Sequence, residues 1–258
     1  MFRYLVVLAF LSLPTLPGVA QAVGDATTDR SLDSVAPRLQ SQSRPRSGGV
    51  PDARISIARL RVPRKARQLY EKALAAWLRH ANSQSQHDLD QALKIEPEFP
   101  EALTLQAFLQ TSRQQWASAE ENLQAAIQID PGYAPAYVIL AGVYNTQSRF
   151  DDAQQAAQQA VSIGATAWSV QYEIARSLIG KEQFESALAV TEAALRSDHG
   201  PLIHLAKAHA LLGLLQYRPA ADELREFLHD QPSGDGSDDA RALLRRVAEI
   251  THEPPNGE

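Results

Sequence analysis

The chain of 258 residues has no cysteine, and its single methionine is Met1. Without cysteine there are no disulfides, no thiolate zinc site, no cysteine nucleophile and no lipid-modified lipoprotein cysteine. The Asn-x-Ser/Thr sequon is also absent, so nothing directs glycosylation. Catalytic signatures are missing too: there is no Gly-rich phosphate loop, no Gly-x-Ser-x-Gly elbow and no His-Glu-x-x-His. The seven histidines are scattered. His204 and His209 stand five apart, on different faces of a helix and not at a chelating i, i+4 spacing. Asp235 to Asp239 lacks the ligand spacing and terminal glutamate of a calcium loop, and reads as a loop leading into a helix. No catalytic residue, cofactor or metal is expected.

What is present begins with an address. Arg3 supplies a positive start, and Leu5 to Leu13 is a short apolar run. Pro14 and Pro17 break it, and Ala20-Gln21-Ala22 offers the small residues that a signal peptidase reads. Spanning a bilayer takes roughly 20 apolar residues, and this run is far shorter. Residues 1–22 are therefore expected to be a signal peptide, with retention as an anchor as the alternative. The mature chain would begin near Val23 in a periplasmic or other secreted compartment, with no transmembrane segment left after cleavage.

Residues 23–62 read as a disordered basic linker, rich in Ser, Arg, Pro, Gly and Gln and without a helical or strand period. Ile55, Ile57, Leu60 and Val62 suggest that it ends in a short extended piece. Pro63 then suits the first turn of a helix, where its missing N–H has no partner to lose.

From Ala66 onward the chain repeats with a period of 34. Pro97 and Pro131 close two similar phrases, Ala-Leu-Lys-Ile-Glu-Pro-Glu-Phe and Ala-Ile-Gln-Ile-Asp-Pro-Gly-Tyr. Ala119, Ala153, Ala187 and Ala221 form one series at this spacing. Ala92, Ala126, Ala160 and Ala194 form a second, and Ala73, Ala107, Ala141 and Ala175 a third. Ala119, Leu123 and Ala126 share one helical face, and small side chains there let a partner helix approach closely. Each helix pair leaves an apolar face uncovered, so pairs must stack.

This pattern resembles the tetratricopeptide-repeat family, in which a first helix, A, and a second, B, alternate at this period. The resemblance covers about residues 66–235 in five units: 66–99, 100–133, 134–167, 168–201 and 202–235. It implies an all-α fold, a right-handed α-α superhelix of about five helix pairs within residues 63–251. Units two and three carry the junction phrases Trp116-Ala117-Ser118-Ala119 and Arg149-Phe150-Asp151-Asp152-Ala153. Departures are Ser85 for alanine in unit one, Ala165 and His199 for the closing proline, His209 at a small-residue place, and Pro232 one place early. Ser237 reads as the N-cap of a capping helix over 237–251, and residues 252–258 as a frayed tail.

In this family the A-helix residues outside the packing positions line a concave groove. The resemblance therefore implies Arg67, Tyr70, Leu74 and Trp77 in unit one as groove residues. Thr104, Phe108, Thr111 and Ser112 follow in unit two, and Val138, Asn145, Arg149, Tyr172 and Arg176 in units three and four. Aromatic, amide and Arg side chains suit a partner's peptide or helix. The alternative is that Tyr70, Leu74 and Trp77 pack against the segment before Pro63. The Lys and Asn set with which some relatives clamp a terminal carboxylate is not matched.

Charge is unevenly spread. Residues 30–67 carry a net charge of +8, and residues 68–258 a net of −12. The basic arm admits three accounts: contact with its own acidic solenoid, binding to an anionic envelope surface, or solubility alone. Nucleic acid is not an expected partner of an acidic folded part. The expectation is a non-catalytic scaffold or adaptor in the bacterial cell envelope, binding an unidentified protein partner. The alternative is an accessory structural subunit of an envelope assembly machine for pilus, secretion or outer-membrane assembly.

Overall fold

The computed structural model describes residues 61–197, 200–233 and 236–252. The expected signal peptide, nearly all of the expected linker, Asp198, His199, Gly234, Asp235 and the residues from 253 onward lie outside them. The chain divides into two compact units between Ala136 and Tyr137. The first holds α1 (Arg64–Leu78), α2 (Asn82–Ile95), α3 (Pro100–Thr111), α4 (Trp116–Ile129) and the start of α5 (Ala134–Thr146). The second holds the rest of α5, α6 (Phe150–Ser162), α7 (Trp168–Gly180), α8 (Phe184–Ser197), α9 (Pro201–Gly213), α10 (Tyr217–Asp230) and α11 (Ser237–Thr251). The described residues contain helices and turns and no strand.

The same local device ends every A helix. His80, Gln114, Ser148, Glu182 and Leu215 take left-handed backbone conformations, with φ between 58° and 60°. The next residue's N–H then reaches back to satisfy a carbonyl of the final turn, as in Arg149 N–H to Tyr144 and Gln183 N–H to Leu178, both at 2.9 Å. The B helices stop differently. Pro97 and Pro131 follow α2 and α4, whereas α6 ends on Gly164 at φ 93°. The Ala165 N–H there bonds the Ala160 carbonyl at 3.0 Å, so glycine replaces proline as the stop. At the entry Pro63 is the cap before α1 with ψ 141°, and the short extended piece expected to end the linker lies, apart from Arg61 and Val62, outside the described residues.

The alanine series mark the tight contacts. Ala73, Ala107, Ala141 and Ala175 are fully buried, as are Ala119, Ala153 and Ala187. The series do not run on at the same spacing into the fifth pair. α9 starts 33 residues after α7, and Leu215 follows Glu182 by the same 33. The N–H bonds of Ala187 to Gln183 and Ala220 to Gln216 place Ala220, at 0% exposure, where Ala221 was expected. Ala208 takes the small-residue place assigned to His209, and Pro232 falls in register. One residue has been lost in the connection after α8, where a shorter loop leaves the helix faces intact.

Stacking explains the ends. On α1, Gln68 and Glu71 are exposed, while their counterparts Ala102 and Leu105 on α3 are buried. α1 thus presents a polar outer edge, as a terminal repeat must. At the other end α11 buries Ala240 and Val247, with Leu243 and Leu244 packed against Leu211, Leu212 and Ala220. Ser237 is not its N-cap: Gly236, at φ 81°, holds that place, and the Ser237 hydroxyl donates to the Gln231 carbonyl at 2.9 Å.

Candidate functional site

The A helices hold the expected groove residues in two sets, one per unit, with different chemistry. In the first unit the set is aromatic. Trp77 meets Phe108 edge-on with ring centroids 5.4 Å apart, and Tyr70 lies 5.2 Å from Phe99. Leu74 and Phe108 are buried, Tyr70 and Trp77 half-buried, and Arg67 exposed. Thr104 and Thr111 are buried, and the hydroxyls of Thr111 and Ser112 are spent on the carbonyls of Phe108 and Leu109. The Thr104 hydroxyl is buried without a hydrogen-bond partner.

In the second unit the set is polar. Asn145 on α5 donates its amide to the Glu173 backbone carbonyl and to the Glu173 carboxylate, each at 2.9 Å. Both contacts are acceptors, which fixes the amide orientation and leaves the Asn145 Oδ1 buried without a partner. Arg176, one turn after Glu173, pairs with the same carboxylate at 2.9 Å and lies 5.6 Å from the centre of the Tyr172 ring. Glu173 is 1% exposed and His209 7%. Burial pushes the Glu173 carboxyl above the usual carboxylate range, against the pull of Arg176 and Asn145. Burial raises the Tyr172 phenol to about 12, and with Arg176 it lowers His209 to about 4. At neutral pH the cluster thus sets the Arg176 cation against the Glu173 carboxyl, beside a neutral imidazole and a neutral phenol.

Val138 is buried in the same unit without a polar role. Arg149 is spent locally, 2.7 Å from Asp152 and stacked 4.1 Å over Tyr144. The structure thus brings Asn145, Tyr172 and Arg176 together and leaves Arg149 and Ser112 outside that cluster. Two members were not anticipated. Glu173 stands at a stacking position occupied by Leu105 and Ile139 in the preceding A helices, where a charge is unexpected. His209 matches Arg176 only after the one-residue shift, which the uninterrupted period of 34 concealed. Among the described residues no group of His, Cys, Asp or Glu gathers to hold a metal ion.

Stacked helical pairs with a side-chain-lined A-helix face define an all-α repeat protein. The family model for the tetratricopeptide repeat matches residues 110–163. The fold is that of solved tetratricopeptide-repeat solenoids, and residues 110–163 carry the repeat itself. The chain is similar to the protein of a functional study of Pseudomonas aeruginosa pilF, with 19% identity, 73% of this chain and 85% of that one covered, and a TM-score of 0.60. It is similar to TTC0263, a tetratricopeptide-repeat protein of Thermus thermophilus, with 18% identity, 72% and 99% coverage, and a TM-score of 0.61. PilW, described as a widely conserved type IV pilus biogenesis factor, shares 15% identity over 74% of this chain and 87% of its own, with a TM-score of 0.64. No curated protein matches the sequence.

Proposed function

We propose that the protein is a non-catalytic interaction scaffold of the bacterial cell envelope, which binds a peptide or helix of a partner protein along its A-helix face. The observation that carries this is the Asn145–Glu173–Arg176 cluster. A buried ion pair adds little stability over an apolar core, so retaining one where neighbouring repeats use Leu and Ile fits a recognition role. Tetratricopeptide repeats generally serve as protein-binding scaffolds, which agrees with that role. Export rests on Arg3, the apolar run Leu5 to Leu13 and the Ala20-Gln21-Ala22 site. No helix among the described residues is long and apolar enough to cross a membrane.

The deciding experiment is photo-crosslinking in cells from Tyr70, Phe108 and Tyr172, with products identified from the envelope fraction. A dominant partner protein, lost when Arg176 is replaced, supports the reading. A partner that cross-links equally well with Arg176 replaced removes the polar cluster from it. A second reading, an accessory subunit of an envelope assembly machine, is favoured by the fold likeness to two pilus-related proteins. It requires the protein to fractionate only within a large complex, whereas the first allows free monomer.

A further inference from the structure

Arg176 brings a cation to the A-helix face of the second unit, and only one side of its guanidinium is engaged. Nη1 contacts both carboxylate oxygens of Glu173, at 2.9 and 3.3 Å, whereas Nη2 has only the Thr146 hydroxyl, at 3.5 Å. Asn145 holds Glu173 on the first side through its own two bonds to that residue. We propose that the second edge of Arg176 takes a side-chain carboxylate, an aspartate or glutamate of the partner protein, so that this face selects an acidic residue at one place. The proposal rests on the groove-binding reading and names the chemistry that the partner must carry there.

A guanidinium presents its N–H donors in a planar fork, and the donors left over match the two oxygens of a carboxylate. Two further donors belong to the same cluster. Arg176 is close enough to His209 to help lower that ring to about 4, and the neutral imidazole, only 7% exposed, makes no hydrogen bond to a described residue. The Tyr172 ring centre lies 5.6 Å from the guanidinium, and its phenol, kept protonated by burial, likewise donates to no described residue. Buried polar groups rarely go unpaired, and one carboxylate among these three would supply acceptors.

Size and charge narrow the ligand. The Arg176 side chain is 13% exposed, and Thr146 and Tyr172 are half-buried, so the opening suits the tip of a side chain and not a stretch of backbone. A terminal carboxylate would bring its own Cα and backbone N–H into that opening. A phosphate dianion would set two charges against one cation that Glu173 already shares. Residues 68–258 carry a net charge of −12, so a densely acidic partner would be repelled. A single carboxylate on an otherwise uncharged segment is the match.

The test is a titration of the full chain, isotope-labelled at arginine, followed through the Arg176 Nε–H signal in nuclear magnetic resonance at constant ionic strength. Acetyl-glutamate amide offers only a side-chain carboxylate, acetyl-glutamine only a terminal one, and acetyl-glutamine amide neither; methyl phosphate is the fourth probe. Acetyl-glutamate amide should shift the signal saturably, with a Kd on the order of millimolar. Tyr172→Phe should raise that Kd about tenfold by removing one donor to a charged group, with circular dichroism unchanged. No saturable shift, an equal response to acetyl-glutamine amide, tighter binding of acetyl-glutamine or methyl phosphate, or a Kd indifferent to Tyr172→Phe would each overturn the proposal. A partner cross-linked from Tyr172 in cells, with no response to acetyl-glutamate amide, would overturn it while the groove-binding reading stands.

Discussion

The Asn145 amide on α5 holds Glu173 on α7 twice, through its backbone carbonyl and through its carboxylate, each at 2.9 Å. Two consecutive A helices are thereby tied by a polar contact at a position held by Leu105 on α3 and Ile139 on α5. Arg176 supplies the opposite charge that contacts this carboxylate.

Removing that charge should be costly. Arg176→Met leaves the buried Glu173 carboxyl without its cation, and the loss of stability should be about 3 kcal/mol in urea unfolding. The double variant Glu173→Leu, Arg176→Met should recover most of it, because neither desolvated charge remains. A single variant within about 0.5 kcal/mol of the parent would show that the pair is not desolvated.

His209 should make the second unit acid-sensitive. Its ring is held at about 4 against an ordinary 6.5, by burial first and then by Arg176, so the folded state prefers the neutral ring. That contribution is complete above pH 6.5 and is lost as pH falls toward 4, by about 3 kcal/mol in all. Glu173, raised by burial, acts in the opposite sense, gaining stability as it protonates. The informative quantity is therefore the difference between the parent and His209→Asn, measured from pH 7.5 to 4. Parallel curves would place His209 in water.

Ser85 stands where Ala119, Ala153, Ala187 and Ala220 stand in the other pairs. It is 0% exposed, and its hydroxyl has no hydrogen-bond partner. Ser85→Ala should therefore stabilise the protein by about 1 kcal/mol, by relieving a desolvated hydroxyl. A lower midpoint in thermal unfolding would mean that a water or another group satisfies it.

Gly180 at the end of α7 lies under Phe150. A Cβ there would sit 2.2 Å from the ring, and the same relation recurs at Gly213, 2.3 Å from Phe184. Glycine is needed at both places for close approach, not for a special backbone angle. Gly180→Ala should cost about 1–3 kcal/mol, since the ring must leave its packing. Gly180→Ala combined with Phe150→Leu should cost less than the two changes added, which thermal or urea unfolding would show.

The repeat was legible because its signals are local. Period, alanine faces and the Pro97 and Pro131 stops depend on residues within one or two turns of each other, and helix packing then permits few arrangements. The expected groove positions were legible only as positions. Nothing local distinguishes Arg149, which folds back on Asp152 and Tyr144, from Arg176, which enters the cluster.

Two features were decided by the tertiary structure. The last pair contains adjacent alanines, Ala220 and Ala221, and either satisfies the sequence pattern. Only packing selects Ala220 for the tight contact, because a residue lost from a loop changes the spacing between helices without disturbing the periodicity within them. The polar cluster likewise joins Asn145 to Glu173 across 28 residues and brings His209 near Arg176 from another helix. The sequence determined which helices form and which faces are small. Whether a glutamate at a stacking position is exposed to water or buried against an amide and a guanidinium depends on what the neighbouring repeat places opposite it, and that is set only when the repeats stack.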